Sequence, residues 1–262
     1  MKQEHGEYHD SNLCFQYSAI TDIGRVRPKN DDNFLVNTTK NFFAVADGVG
    51  SLAGSDTASL IALEIINKKY QKPAKSYWPF FKNTSQDKHR GHIDSVLQVA
   101  NHSIYNCKRR SGNDMATTIV SSFFFGNKCI VAHAGDSRFY KIHENSIEQI
   151  TTDHSLKNEI LRKGGIKPDT SKINIPRNII TRAFGADATV QCDFNEIILE
   201  PLNFFMLCTD GLTSMLDADA ISAIVCNQHL DLYERGHKLV ESANKAGGKD
   251  NITVLLLQVS RK

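Results

Sequence analysis

The 262-residue chain predicts an α+β fold built mainly from antiparallel sheets. Three observations carry that reading. Short runs rich in β-branched and aromatic residues recur along the whole chain. Stretches with helical spacing of apolar residues lie between groups of them. Strands follow one another through short connections, which a strictly alternating parallel fold would not allow.

The strand candidates, in order, are CFQYSAITDIG, NFLVNTT, FFAVADG, TTIVSSFFFG, CIVAHAGDS, RFYKIH, QCDFNEIILE, FFMLCTDG and NITVLLLQV. Among the helices, Ser55 or Asp56 can cap TASLIALEIINKKY, which Pro73 stops. HIDSVLQVANHSIYNCKRR repeats apolar residues at helical spacing, and SLKNEILRKGG ends on Gly164 and Gly165. DADAISAIVCNQHL and ERGHKLVESANKAGG complete the set. Residues 71–90 and 165–178 read as irregular connections.

Forty per cent hydrophobic residues supports a sizeable core, and a net charge of +2 gives no broad basic footprint for nucleic acid. Lys108, Arg109 and Arg110 read as a solvated helix end. No apolar stretch approaches the roughly 18 residues of a membrane span. The start, MKQEHGEYHD, lacks the apolar core of a signal peptide and reads as a loose tail, so that His5 and His9 are not expected to bind metal. Several of the six cysteines sit inside apolar runs and none forms a C-x-x-C, so they read as buried free thiols in a reducing cytoplasm, with zinc binding and disulfides not expected.

Acidic residues repeatedly sit where an apolar strand begins or stops. FFAVADG ends at Asp47-Gly48, FFMLCTDG at Asp210-Gly211 and CIVAHAGDS at Gly135-Asp136. Asp250 precedes the last strand, and Asp31 and Asp32 precede FLV. Each alone could be turn chemistry, since Asp-Gly favours hairpins. Together they suggest converging carboxylates whose repulsion a divalent cation relieves. Oxygen-only ligands suit Mg²⁺ or Mn²⁺. Gly48, Gly50 and Gly54 could instead open a phosphate-cradling loop, but their spacing misses the dinucleotide fingerprint and no Gly-Lys-Ser/Thr follows.

In order, TDIGRVRPKNDDNF, FAVADGVG, MATTIV, AHAGDSRFY, TTDHSL, IITRAFG, MLCTDGLTSML and GGKDNITVLLL resemble the metal-dependent protein phosphatases of type 2C, in their compact bacterial form. The resemblance runs from about residue 18 to 258. It implies a single catalytic domain over 1–262, with a core at about 12–260, a tail at 1–11 and a mobile flap at about 154–183. The implied architecture is an α-β-β-α sandwich, two antiparallel sheets flanked by helices, with a metal centre at one end. Asp47 would bridge two ions, Mn²⁺ or Mg²⁺, with the Gly48 carbonyl as a further ligand. Asp210 and Asp250 match acids on the first metal, and Asp136 with Asp210 a third ion seen in many bacterial members. Asp31 and Asp32 match water-mediated partners of the second metal, Arg27 a phosphate-binding arginine, and Asn251 an orienting residue.

The chain departs from the family at three positions. Asp31 stands where Glu is usual, Val49 where some relatives carry a histidine acid, and Gly50-Ser51 where a glycine pair is usual. None removes an acid that would touch the metals. The resemblance therefore implies a phosphoserine/phosphothreonine protein phosphatase using metal-activated water. It would act in the cytoplasm as a monomer, on phosphorylated proteins, opposing a bacterial Hanks-type kinase. The competing reading is a catalytically weak phosphoprotein-binding module, suggested by Asp31 alone. The branch acting on anti-sigma-factor antagonists fits less well, because its usual extra sensor domains have no room here.

Overall fold

The computed structural model describes residues 1–50, 55–70, 88–162 and 179–262. Gly54, Pro73, Gly164, Gly165, Pro168, most of the 71–90 connection, the 165–178 connection and the middle of the flap lie outside them.

Three layers of apolar contact explain the architecture. The first lies between two antiparallel sheets. One sheet has the order β1-β2-β13-β12-β9-β10, from Lys2–His9, Leu13–Asp22, Ile252–Arg261, Leu202–Cys208, Arg138–Ile142 and Ile147–Gln149. The other has the order β11-β8-β7-β4-β3, from Asp193–Ile198, Lys128–Ala134, Ile119–Phe125, Phe42–Ala46 and Asn33–Asn37. Successive side chains alternate between the faces of a strand, so a strand covered on both sides reads as one apolar run. In β4, Phe43 and Val45 join Phe15, Phe124, Phe205 and Leu255 between the sheets. Phe42, Ala44 and Ala46 face the other way, onto Ile66 of α1 (Ser55–Tyr70) and Ile93 and Leu97 of α2 (Lys88–Ser111). Strand β13 does the same: Leu255 and Leu257 point between the sheets, while Val254 and Leu256 meet Leu239 and Val240 of α6 (Leu232–Lys245). Ile221 and Val225 of α5 (Ala218–Val225) complete that outer layer. The order is helix, sheet, sheet, helix, as the resemblance implied.

The N-terminus corrects the expectation of a loose tail. Residues Lys2–His9 form β1, antiparallel to β2 from Lys2↔Thr21 to His9↔Cys14. Ladder hydrogen bonds and Tyr8, stacked on Phe15 with ring centroids 4.7 Å apart, hold it down. It is an edge strand with mostly exposed polar side chains, so composition gave no sign of it.

A second difference concerns TTIVSSFFFG, expected as one strand. Strand β7 begins only at Ile119, and Thr117 ends a separate strand, β6 (Met115–Thr117), with Thr118 between the two. Strand β6 pairs with the three-residue β5 (Gly48–Gly50) in a small sheet of its own. The break frees Thr117 and Thr118 to hold the chain at Asp47.

Candidate metal centre

Register brings the strand-end acids to one end of the sandwich. Cys208 of β12 lies opposite both Val254 of β13 and Arg138 of β9. The residues just beyond these, Asp210, Asp250 and Asp136, therefore converge. On the facing sheet, Val45 lies opposite Val120 and Ile119 opposite Ala134, which puts Thr118 between Asp47 and Gly135.

Asp47 is gripped through its backbone. Its N–H donates to Thr118 Oγ1 at 3.2 Å, and its carbonyl accepts from Thr118 N–H at 2.9 Å and Thr117 Oγ1 at 2.8 Å. The Thr118 hydroxyl also contacts Ser137 Oγ at 2.7 Å, beside Asp136. Gly135 has φ +114°, and a Cβ there would lie 2.5 Å from Thr118 Cβ.

Asp210 begins α4 (Asp210–Thr213) directly after β12. A Cβ on Gly211 would come within 1.8 Å of the Asn251 carbonyl oxygen. Glycine is thus what lets this short helix reach the Asp250 loop. Asn251 fastens that loop: its Nδ2 donates to the carbonyls of Ile23 and Lys29, both at 2.9 Å, and its Oδ1 accepts from Asp31 N–H at 2.8 Å. Asn251 is an orienting residue, as expected.

Asp32 is buried, and its Oδ2 accepts from Thr209 Oγ1 at 2.8 Å and Thr253 Oγ1 at 2.7 Å. Asp31 is placed differently. Its carboxylate lies 2.9 Å from Lys29 Nζ, and its carbonyl accepts from Ser59 Oγ at 2.6 Å. Arg27 Nη2 donates to Asp250 Oδ2 at 2.6 Å, with about half the Arg27 side chain still exposed.

The carboxylates strain one another electrostatically. Burial, then the charges of Asp32, Asp210, Asp136 and Asp250, push the Asp47 carboxyl well above its usual range. Burial and then Asp250 raise Asp210, with Asp47 in hydrogen-bond contact opposing the rise. Asp136 is pushed up to about 7 by burial and then Asp210. Asp32 also reaches about 7, chiefly through burial and against its two threonine donors. Buried Asp32 Oδ1 and Asp136 Oδ1 have no hydrogen-bond partner. Unpaired buried oxygens among mutually repelling carboxylates are costly unless protons or cations satisfy them. An all-oxygen donor set fits a hard divalent cation.

A family model described as protein phosphatase 2C matches residues 25–247. The chain belongs to that family. It is 32% identical over 251 residues to "Protein phosphatase PhpP" of Streptococcus pneumoniae, covering 94% of this chain and 98% of the relative. The structure of the S. agalactiae serine/threonine phosphatase superposes with a TM-score of 0.79 at 28% identity, over 93% of this chain and 98% of that one. The catalytic domain of the phosphatase PstP in complex with two manganese ions superposes at 0.75 with 26% identity, over 95% and 99%. This phosphatase is a metal-dependent enzyme of the serine/threonine protein phosphatase class.

Motif reading did not find the residues that steady the acids. Thr117, Thr118, Thr209 and Thr253 looked like ordinary strand formers. A second set ties His154, just before α3 (Leu156–Arg162) in the segment expected as a flap, to Gly135 beside Asp136. His154 N–H donates to the Gly135 carbonyl at 2.9 Å, and His154 Nδ1 accepts from Gly135 N–H at 3.1 Å. Its Nε2 lies 3.2 Å from Asp193 Oδ2, and Arg182 Nη1 donates to Asp193 Oδ1 at 2.9 Å. Burial, then the neighbouring His133, lowers His154 to about 4, so it stays neutral in these contacts. Arg138 clamps Asp153 through Nε and Nη2, at 2.9 and 2.8 Å.

Proposed function

We propose that Asp47, the Gly48 carbonyl, Asp210 and Asp250 hold two divalent ions, Mn²⁺ or Mg²⁺, and that Asp136 with Asp210 holds a third. Asp31 and Asp32 serve the second ion through water. The observation that carries this is the convergence of four buried or part-buried acids, Asp32, Asp47, Asp136 and Asp210, each held above its ordinary carboxyl range. When bound, the ions supply an activated water and neutralise phosphoryl oxygens.

The protein's own groups do the positioning. Arg27 is exposed at the rim beside Asp250, with guanidinium N–H groups left for the phosphate of a phosphoserine or phosphothreonine side chain. The Thr117–Thr118 clamp fixes Asp47, and the Thr209–Thr253 pair fixes Asp32. The substrates are phosphorylated proteins. The enzyme class that must supply them is a serine/threonine kinase, and we assign this phosphatase to oppose one in the cytoplasm, acting as a monomer. Among the described residues no helix is long and apolar enough to cross a membrane.

The test is phosphate release from a phosphothreonine peptide, with and without Mn²⁺, for the wild type and Asp210→Asn. Activity should need Mn²⁺ and fall at least about 100-fold in the variant, since groups at such centres supply several kcal/mol of charge stabilisation. Equal turnover with and without Mn²⁺ would sink the assignment.

A further inference from the structure

Pairing of the N-terminal strand creates a donor set absent from the acid centre. His9 and Cys14 lie directly opposite each other across the β1–β2 ladder, so their side chains share a face. Glu7, two residues before His9, projects from the same face. A nitrogen of His9, the Cys14 sulfur and a Glu7 carboxylate oxygen all lie within 4.8 Å of one another. Glu7 Oε1 is 3.4 Å from His9 Nε2 and 3.7 Å from Cys14 Sγ. Gln16 Nε2 donates to the other oxygen, Oε2, at 3.0 Å and steers the carboxylate.

We propose that Glu7, His9 and Cys14 form a surface site for a borderline divalent cation of the Zn²⁺ class, separate from the catalytic centre. One thiolate, one imidazole and one carboxylate suit Zn²⁺, whereas Mg²⁺ and Mn²⁺ prefer oxygen alone. Three protein ligands leave a fourth position for water. The frame is built before the ion arrives, because the ladder fixes His9 against Cys14 and Tyr8 anchors the strand from the other face. Cys14 keeps its proton in the free protein, through burial and the Glu7 charge, and an arriving cation displaces it. A bound ion would cross-link an edge strand that is otherwise held on one side only.

The buried group His133, His154 and Asp193 is also close enough to share an ion. Its geometry argues otherwise. The two imidazole rings are stacked 4.7 Å apart with planes only 7° from parallel, so an ion in the plane of one ring lies well out of the plane of the other. Glu7, His9 and Cys14 carry no such conflict.

The experiment uses the full chain, reduced, with the acid centre first saturated by excess Mg²⁺. Co²⁺ is then titrated and the near-ultraviolet thiolate-to-Co²⁺ absorption is followed. The oxygen-only acid centre cannot produce that band. The wild type should show it, and Zn²⁺ should abolish it. Cys14→Ser should lose it, and His9→Ala should weaken Co²⁺ binding by more than about tenfold, since even loss of an outer partner costs that much. Both variants should keep wild-type Mn²⁺-dependent phosphatase activity, which shows that they are folded. Absence of the band in the wild type, its persistence in Cys14→Ser, or unchanged Co²⁺ affinity in His9→Ala overturns the site.

Discussion

Removing one charge from the acid cluster should stabilise the metal-free protein while disabling the enzyme. Asp136 is 7% exposed, has an unpartnered Oδ1, and is raised from 3.8 to about 7 by burial and then Asp210. Between these values the folded state holds a proton that the unfolded state has released. Folded protein therefore binds more protons, and stability falls as pH rises through this window. The loss begins near the unfolded value and is complete above the folded one. At about 1.36 kcal/mol per pH unit, a shift of roughly three units amounts to about 4 kcal/mol at pH 8 and about 1 kcal/mol at pH 4.5. Asp136→Asn keeps the shape and removes the ionisation. In urea titrations with chelator present, the variant should gain up to about 4 kcal/mol over the wild type at pH 8 and about 1 kcal/mol at pH 4.5. With Mn²⁺ the ranking should narrow or invert, because a bound ion stabilises the folded state that holds it. An equal gain at both pH values, or none at pH 8, would refute the electrostatic account.

Three further substitutions separate scaffold from chemistry. Gly211→Ala drives a methyl to within 1.8 Å of the Asn251 carbonyl, and should cost about 3 kcal/mol in urea denaturation while raising the Mn²⁺ concentration for half-maximal activity. Thr209→Val removes one of the two hydroxyl donors to Asp32 and the acceptor of Thr253 N–H, and should cost about 2 kcal/mol at pH 8 in the same assay. Arg27→Ala breaks a half-exposed ion pair, so stability should change by less than about 1 kcal/mol. Its KM for a phosphothreonine peptide should nonetheless rise about tenfold, checked by initial rates at saturating Mn²⁺.

Much of the fold was legible because its central strands are covered on both faces. Runs such as FFAVA and TVLLL are continuous apolar segments, and only a sheet packed on both sides needs them. The missed elements have the opposite chemistry. Strand β1 is a polar edge whose one inward anchor is Tyr8, and β5 and β6 are three residues each, too short for any pattern. The acids of the site were legible because a carboxylate at the end of a buried strand is conspicuous. Their supports were not, since a threonine in a strand looks the same whether or not its hydroxyl is used. Thr118 acquires its role only from registers that set it between Asp47 and Gly135. Likewise His154 meets Gly135 across 19 positions of chain, a contact that no local spacing encodes.

The two Asp-Gly steps show why local sequence left their role open. In isolation Asp-Gly favours a two-residue hairpin, yet neither step closes one here. Asp47 joins β4 to β5, which belong to different sheets, and Asp210 starts a helix. At 210–211 the glycine answers a contact 40 residues along the chain, the Asn251 carbonyl, which leaves no room for a side chain. A hairpin glycine is chosen for its own dihedral angles; this one is chosen for what approaches it. Replacing Gly211 should therefore disturb the Asp210–Asp250 spacing rather than the course of its own loop. That distinction is measurable: Mn²⁺ affinity should drop in Gly211→Ala even where far-ultraviolet circular dichroism is unchanged, and unchanged affinity would place the glycine back among ordinary turn residues.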